Sequence, residues 1–170
     1  MTAAIAAAPQ PGHYTIDPGE SGVTFRTRHL FGLAPVRGRF AIGRGVAEIS
    51  DPVTGSSILA EIDAASFWTG STARDRSVLS ARFLDPARYP AITFQSREIE
   101  PERMMLTGTL TVRDITLPVS LAITTCEVAR DSFTVRSTTK IDRTQFGITA
   151  ARGLAARDLE LTVNVRWVRA

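Results

Sequence analysis

Residues Met105 to Ile123 read MLTGTLTVRDITLPVSLAI, and this stretch decides the fold. Leu106, Gly108, Leu110 and Val112 alternate with Thr107, Thr109, Thr111 and Arg113. After Asp114, Ile115 and Thr116 the pattern restarts, with Leu117, Val119, Leu121 and Ile123 set against Pro118, Ser120 and Ala122. A period of two is what a strand needs to bury one face and wet the other. Two such runs around a short polar connection predict a β-hairpin. Pro118 has no N–H to give to a ladder, so it belongs at the start or edge of the second strand.

The same alternation recurs on both sides. His13 to Asp17 forms a short first segment, stopped by Pro18 and Gly19. Val23, Phe25, Thr27 and His29 make an inner face, with Arg26 and Arg28 outward. After a break at Phe31, Gly32 and Leu33 come Val36, Gly38, Phe40 and Ile42, then a shorter strand over Val46 to Ile49. Ile58, Ala60 and Ile62 continue the series. From Ala65 to Pro90 the alternation stops, and Thr72 to Leu79 has helical composition, with Ser71 or Thr72 placed to cap it. Ile92 and Phe94 restart the strands; Phe133 to Ile141 and Leu159 to Trp167 follow the hairpin, separated by a loop over Thr149 to Asp158. About eight or nine short strands, one brief helix and no internal repeat predict an antiparallel up-and-down barrel or a sandwich. The small inward residues Gly38, Ala60 and Gly108 favour a barrel with a cavity.

Composition narrows the function. With 44% hydrophobic and 22% charged residues in 170, the chain reads as one ordinary globular domain. The net charge of +3 is carried almost wholly by arginine, Lys140 being the single lysine. No run of five or more basic residues occurs, so the arginines read as solvated strand faces. Cys126 stands alone and excludes an intramolecular disulfide. No apolar run is long enough to span a membrane as a helix. Residues 1–12 read as a flexible leader on a cytoplasmic protein, with residues 13–170 as the barrel domain.

Several motifs, taken together, resemble the YceI-like family. They are Tyr14-Thr-Ile-Asp-Pro with Val23-Thr-Phe and Arg28-His29, then Val36-Arg-Gly-Arg-Phe40 and Ile62-Asp-Ala-Ala-Ser66. Thr69-Gly70, Arg74-Asp75, Phe83-Leu-Asp85 and Tyr89-Pro-Ala-Ile-Thr-Phe94 continue the match. It closes with Gly108-Thr-Leu-Thr-Val-Arg113, Thr116-Leu-Pro-Val119, Ile141-Asp-Arg143 and Phe146-Gly147. The chain departs from the pattern at Glu20 and Ser77, where the family often has His, and at Ala150, where it often has an aromatic.

The resemblance implies a lipocalin-like barrel that holds a polyisoprenoid chain, such as an isoprenoid quinone or a polyprenyl phosphate, with no established reaction and with dimers known. On that implication the apolar tunnel is expected from Val23, Phe25, Phe40, Ile62, Trp68, Phe83, Ile92, Phe94, Leu110, Val112, Phe146 and Val163. A polar rim is expected from His29 and Arg74, where a guanidinium suits an oxyanion. The expected partner is an isoprenoid lipid or another long apolar ligand, with no cofactor and no nucleic acid. A transient membrane contact and a homodimer stay open.

Other chemistries fit the residues less well. Two histidines and one cysteine leave no zinc site of the usual kind. Ser21, His29 and Asp75 can be written as a triad, but no serine sits in a nucleophile-elbow motif. Asp142 and Asp158 could pair as carboxylates, but nothing in the sequence brings them together. The alternative reading is a nucleic-acid-binding barrel of the OB kind, which needs aromatics on an exposed face. Here the aromatics alternate in phase with the aliphatics, which turns them inward.

Overall fold

The structure is a computed structural model that describes residues 7–29, 34–151 and 156–170, and for His29 the backbone only. Among these residues the ten strands are β1 (Gly12–Ile16), β2 (Gly22–His29), β3 (Ala34–Phe40), β4 (Ile42–Ile49), β5 (Ser57–Asp63), β6 (Ala91–Glu100), β7 (Met105–Val112), β8 (Ile115–Val128), β9 (Ser132–Asp142) and β10 (Asp158–Arg169). The helix among the described residues, α1 (Thr72–Val78), starts where Ser71 Oγ accepts the Arg74 N–H at 3.4 Å.

The hairpin forms as its alternation requires. Leu106, Gly108, Leu110 and Val112 are buried on β7, and their threonine neighbours are half-exposed. Leu110 pairs with Leu117, and Thr111 with Thr116, whose hydroxyls share a 2.7 Å hydrogen bond. Only Arg113 and Asp114 connect the strands, and Arg113 takes the left-handed conformation at φ 57°. Pro118 pairs with Thr109 on one side, whereas β9 joins β8 only from Ala122 onward. The missing donor therefore lies where the outer edge of β8 is unpaired, as a proline needs.

The strands close rather than stack as a sandwich. Hydrogen bonding runs β1-β4-β5-β6-β7-β8-β9-β10 and returns from β10 to β1, an antiparallel ring of eight strands. Closure leaves the ring no free edge. The remaining hairpin, β2-β3, extends the wall because β10 splits one of its edges. Glu160 to Asn164 pair with β2, while Trp167 to Arg169 pair with β1. Between them the chain bends at Asp17–Glu20 without leaving β10. The Asp17 N–H donates to Arg166 O at 2.9 Å, and Ser21 Oγ accepts the Arg166 N–H at 2.9 Å.

Two expectations are corrected here. The strand expected to run unbroken from Val36 to Ile42 is interrupted at Ala41, and β4 begins at Ile42. Ala41 spends its N–H on Ser66 Oγ and its carbonyl on the Asp63 N–H, so it leaves the ladder. Part of the expected flexible leader is tied down. Gly12 opens β1, the Gln10 carbonyl accepts the Tyr14 hydroxyl, and the Pro11 carbonyl accepts from Arg169. Residues 1–6, the break at residues 31–33 and the centre of the 149–158 loop lie outside the described residues.

The interior has two halves. In one, Tyr14, Ile16, Ile42, Ala47, Phe133, Val165 and Trp167 form a packed cluster. Tyr14 meets Phe133 edge-on at 5.0 Å, and Phe133 stacks on Trp167 at 6.2 Å. The other half is built around Phe25, Phe67, Phe83, Leu84, Ile92, Leu110 and Phe146. Gly38 and Gly108 do not leave open space as expected. A Cβ on Gly38 would strike the Phe25 ring and come within 2.7 Å of Trp68 O; one on Gly108 would strike Gln95 O and approach Phe94 Cζ to 2.8 Å. Each glycine is the seat of an aromatic ring. Gly108→Ala is thus expected to destabilise by about 1–3 kcal/mol through overpacking, readable as a lower urea midpoint at unchanged slope. A midpoint equal to wild type would mean the Phe94 ring shifts at no cost.

Candidate ligand-binding cavity

The half of the barrel away from Trp167 contains a partly open cavity of about 380 Å³. Its walls follow from strand alternation. Val23 and Phe25 on β2, Val36 and Phe40 on β3, and Leu159 and Leu161 on β10 line one side. Ile62, Ile92, Leu110 and Val112, near the ends of β5, β6 and β7, line the other. Phe25 stacks on Phe67 at 5.4 Å and leans on Phe40 at 5.9 Å, so three rings that line the cavity brace one another.

The end of the cavity is built from irregular segments. After α1 the chain turns through Ser80–Asp85, where the Leu84 N–H donates to Val78 O at 3.0 Å, and this turn buries Phe83 and Leu84. On the far side, β8 and β9 are unpaired before Ala122, and the 3-10 turn Arg143–Phe146 packs beside β8. Gly147 closes that turn at φ 77°, with Ile115 3.2 Å from where its Cβ would be. Phe146 and Ile148 thereby face the cavity.

Asp142 holds this turn in place. Its carboxylate accepts the Thr144 N–H at 2.9 Å and the Thr144 hydroxyl at 2.6 Å. The Thr144 hydroxyl is the main reason the carboxyl sits below the usual carboxylate range, with Arg157 adding to it. A lowered folded-state value means the capping is present at neutral pH and is lost as pH falls through that value. Asp142 and Asp158, unconnected in the sequence reading, are register partners on β9 and β10. Each faces a cation at 3.5 Å, Asp142 the Arg157 guanidinium and Asp158 the Lys140 ammonium.

Nine of the twelve residues expected in the apolar tunnel line the cavity: Val23, Phe25, Phe40, Ile62, Phe83, Ile92, Leu110, Val112 and Phe146. Three do not. Phe94, two residues beyond Ile92, is buried with its ring over Gly108. Val163, two beyond Leu161, sits against the packed half. Trp68 is 49% exposed, because Phe67 takes the inward direction and leaves Trp68 outside under the Arg39 guanidinium at 4.4 Å.

Of the two rim residues, Arg74 lines the cavity, and the side chain of His29 lies outside the described residues. Arg74 Nη1 donates to Thr69 Oγ1 at 3.2 Å, and that hydroxyl in turn donates to Asp75 at 2.6 Å. Arg28, Ser77 and Arg143 also line the cavity and were not expected as site residues. Arg143 is 9% exposed, and its guanidinium donates to the carbonyls of Ala156, Ile148 and Ala150 at 2.8, 3.0 and 2.8 Å. Its place two residues after the inward residue Ile141 offered one signal, an arginine where the alternation would continue inward. Ser21 Oγ and Asp75 are engaged with Arg166 and Thr69, on separate elements. Among the described residues no three His, Cys, Asp or Glu converge as a metal requires, and no helix is long and apolar enough to cross a membrane. Cys126 lies off the cavity, and burial pushes its thiol up, towards the unreactive protonated form.

Comparison with known proteins places this geometry in context. The YceI-like domain profile matches residues 14–167. Protein YceI of Salmonella arizonae is 28% identical over 155 residues, covering 86% of this chain and 81% of that protein. BcnA of Burkholderia cenocepacia superposes with a TM-score of 0.73 at 21% identity, over 89% of this chain and 98% of that one. A polyisoprenoid binding domain from Saccharophagus degradans, implicated in plant cell wall breakdown, superposes with a TM-score of 0.71 at 13% identity. That match covers 95% of this chain and 100% of the Saccharophagus domain.

Proposed function

We propose that this chain, which belongs to the YceI-like family, binds a long apolar molecule of the isoprenoid kind in its barrel and carries or sequesters it in water. The observation that carries the reading is a half-filled barrel. One half is packed by Tyr14, Phe133 and Trp167, and the other surrounds a 380 Å³ apolar cavity. At roughly 30 Å³ per carbon-sized group, that space admits at least about a dozen such groups, or two or more prenyl units. Each buried methylene contributes about 0.8 kcal/mol, so the chain supplies most of the binding energy. The Saccharophagus polyisoprenoid binding domain, similar in fold, supports the same ligand class.

The arginine excess does not favour a nucleic-acid barrel. Outer arginines pair with acids, as Arg26 does with Glu160 at 2.8 Å and Arg44 with Glu61 at 2.7 Å. Trp68 is the one exposed aromatic among the described residues, too few for a stacking platform.

The test is solvent extraction and mass spectrometry of the purified protein, followed by titration of the stripped form with prenyl alcohols of increasing length. Affinity is expected to rise with each unit until the cavity is full, and then to level off. Absence of any binding, or affinity independent of chain length, would sink the reading.

A further inference from the structure

We infer that the outer face of the β2-β3 hairpin docks the protein on an anionic lipid bilayer, beside the cavity whose wall that hairpin forms. The inner face of the hairpin turns Val23, Phe25, Val36 and Phe40 to the cavity. By alternation its outer face carries Thr24, Arg26, Arg37 and Arg39, all of them exposed. No Asp or Glu occurs between Glu20 and Glu48, a stretch that holds five arginines. Acids from neighbouring strands reach two of these, Glu160 meeting Arg26 and Glu61 meeting Arg44. Among the described residues, Arg37 and Arg39 have no acidic partner. Arg37 stands directly opposite Arg26 in the register, and like charges so placed repel.

Trp68 lies beside these arginines, half-exposed, with its indole under the Arg39 guanidinium at 4.4 Å. The outer edge of the indole is 3.5 Å from where a Cβ on Gly70 would be, so the ring is held and not loose. The bridge to Arg39 uses only backbone atoms of Trp68, at 2.9 and 3.1 Å, and does not require an indole. A tryptophan left in water among cations without acids is a cost to the isolated protein. At the boundary of a bilayer both features gain, because indoles settle at headgroup level and guanidinium groups meet phosphate oxygens. The same face runs into an open groove of about 670 Å³, where Glu160, already held by Arg26, is the one acid among the lining residues. Nucleic acid also offers phosphates, but a single indole is no stacking platform for it.

The test adds vesicles to the stripped full-length protein, so docking is read without cargo and its failure leaves the cavity reading standing. The vesicles are phosphatidylcholine alone or an equal mixture with phosphatidylglycerol. Co-sedimentation measures binding, and the blue shift of tryptophan emission measures insertion, with buried Trp167 as a constant background. Wild type is expected to bind the mixed vesicles, more weakly with added salt, and to show a blue shift that Trp68→Phe lacks. Arg37→Gln/Arg39→Gln should weaken binding about 25-fold, at roughly fivefold for each arginine near a charged surface. Arg37→Lys/Arg39→Lys keeps the charge and should retain most of the binding. Arg97→Gln/Arg130→Gln removes the same charge near the opposite end of the barrel and should bind as wild type does. Urea midpoints check that each variant is folded. Equal binding to both kinds of vesicle, an unshifted emission, or an equal loss in the two glutamine variants overturns the inference. Tighter binding to an oligonucleotide than to the mixed vesicles, lost in Arg37→Gln/Arg39→Gln, overturns it in favour of nucleic acid.

Discussion

Trp167→Ala is expected to destabilise the protein by about 3–5 kcal/mol, and a bound isoprenoid is expected to leave that deficit unchanged. Trp167 is 3% exposed, stacks on Phe133 and lies between Ile16 and Phe133 in the ladders of β1 and β9. Removing the indole leaves a hole walled by Tyr14, Phe133 and Val165 in the packed half, which meets the cavity lining only at Val23, Phe40, Ile62 and Leu161, none of them a ladder partner of Trp167. A ligand that binds only the folded state raises wild type and variant by the same increment when it binds both equally. Urea unfolding with and without saturating geranylgeraniol measures this. A gap between wild type and variant that narrows with ligand would show that the space beside Trp167 is continuous with the cavity.

The contrast between the two halves is what the sequence did not carry. Alternation identifies which side chains point inward, because a strand has only two faces, and it placed the hairpin at residues 105–123 and the inward Val23, Phe25, Ile92 and Leu110. It says nothing about what stands opposite an inward side chain once the ring closes. Phe25 and Phe94 read identically in the sequence, and both are buried, yet one faces the cavity and the other lies over Gly108. The glycines misled for the same reason. A missing side chain reads as free volume, whereas here it admits a ring from the same sheet. Trp68 was misassigned because it lies in the stretch without periodicity, where nothing local distinguishes it from Phe67. A backbone bridge between Arg39 and Trp68, formed across 29 residues, decides which of the two turns in. Arg143 was legible as a motif residue but not as a buried cation, since its burial depends on carbonyls of the loop that follows.

That contrast makes Phe25, not Phe94, the residue at which ligand and stability should interact. Phe25 is 3% exposed, lines the cavity, and is fixed by Phe67, Phe40 and the seat at Gly38. Phe25→Ala should cost the ligand-free protein about 3–5 kcal/mol, as for other buried rings. Unlike the hole left at Trp167, the vacated space opens into the cavity, where a flexible chain can enter it. The ring removed has six carbons and a prenyl unit has five. The chain length that binds best is therefore expected to increase by about one unit in the variant, because tight packing makes affinity follow the filling of volume. With that longer chain bound, the stability gap to wild type should narrow; with the chain that suits wild type, it should stay or widen. Titrating wild type, Phe25→Ala and Phe94→Ala with the same series of prenyl alcohols separates the cases, since the Phe94 variant should keep the wild-type optimum. An unshifted optimum in Phe25→Ala would mean that Phe40 and Phe67 collapse into the space, and that the cavity's length is set by its ends rather than by this wall.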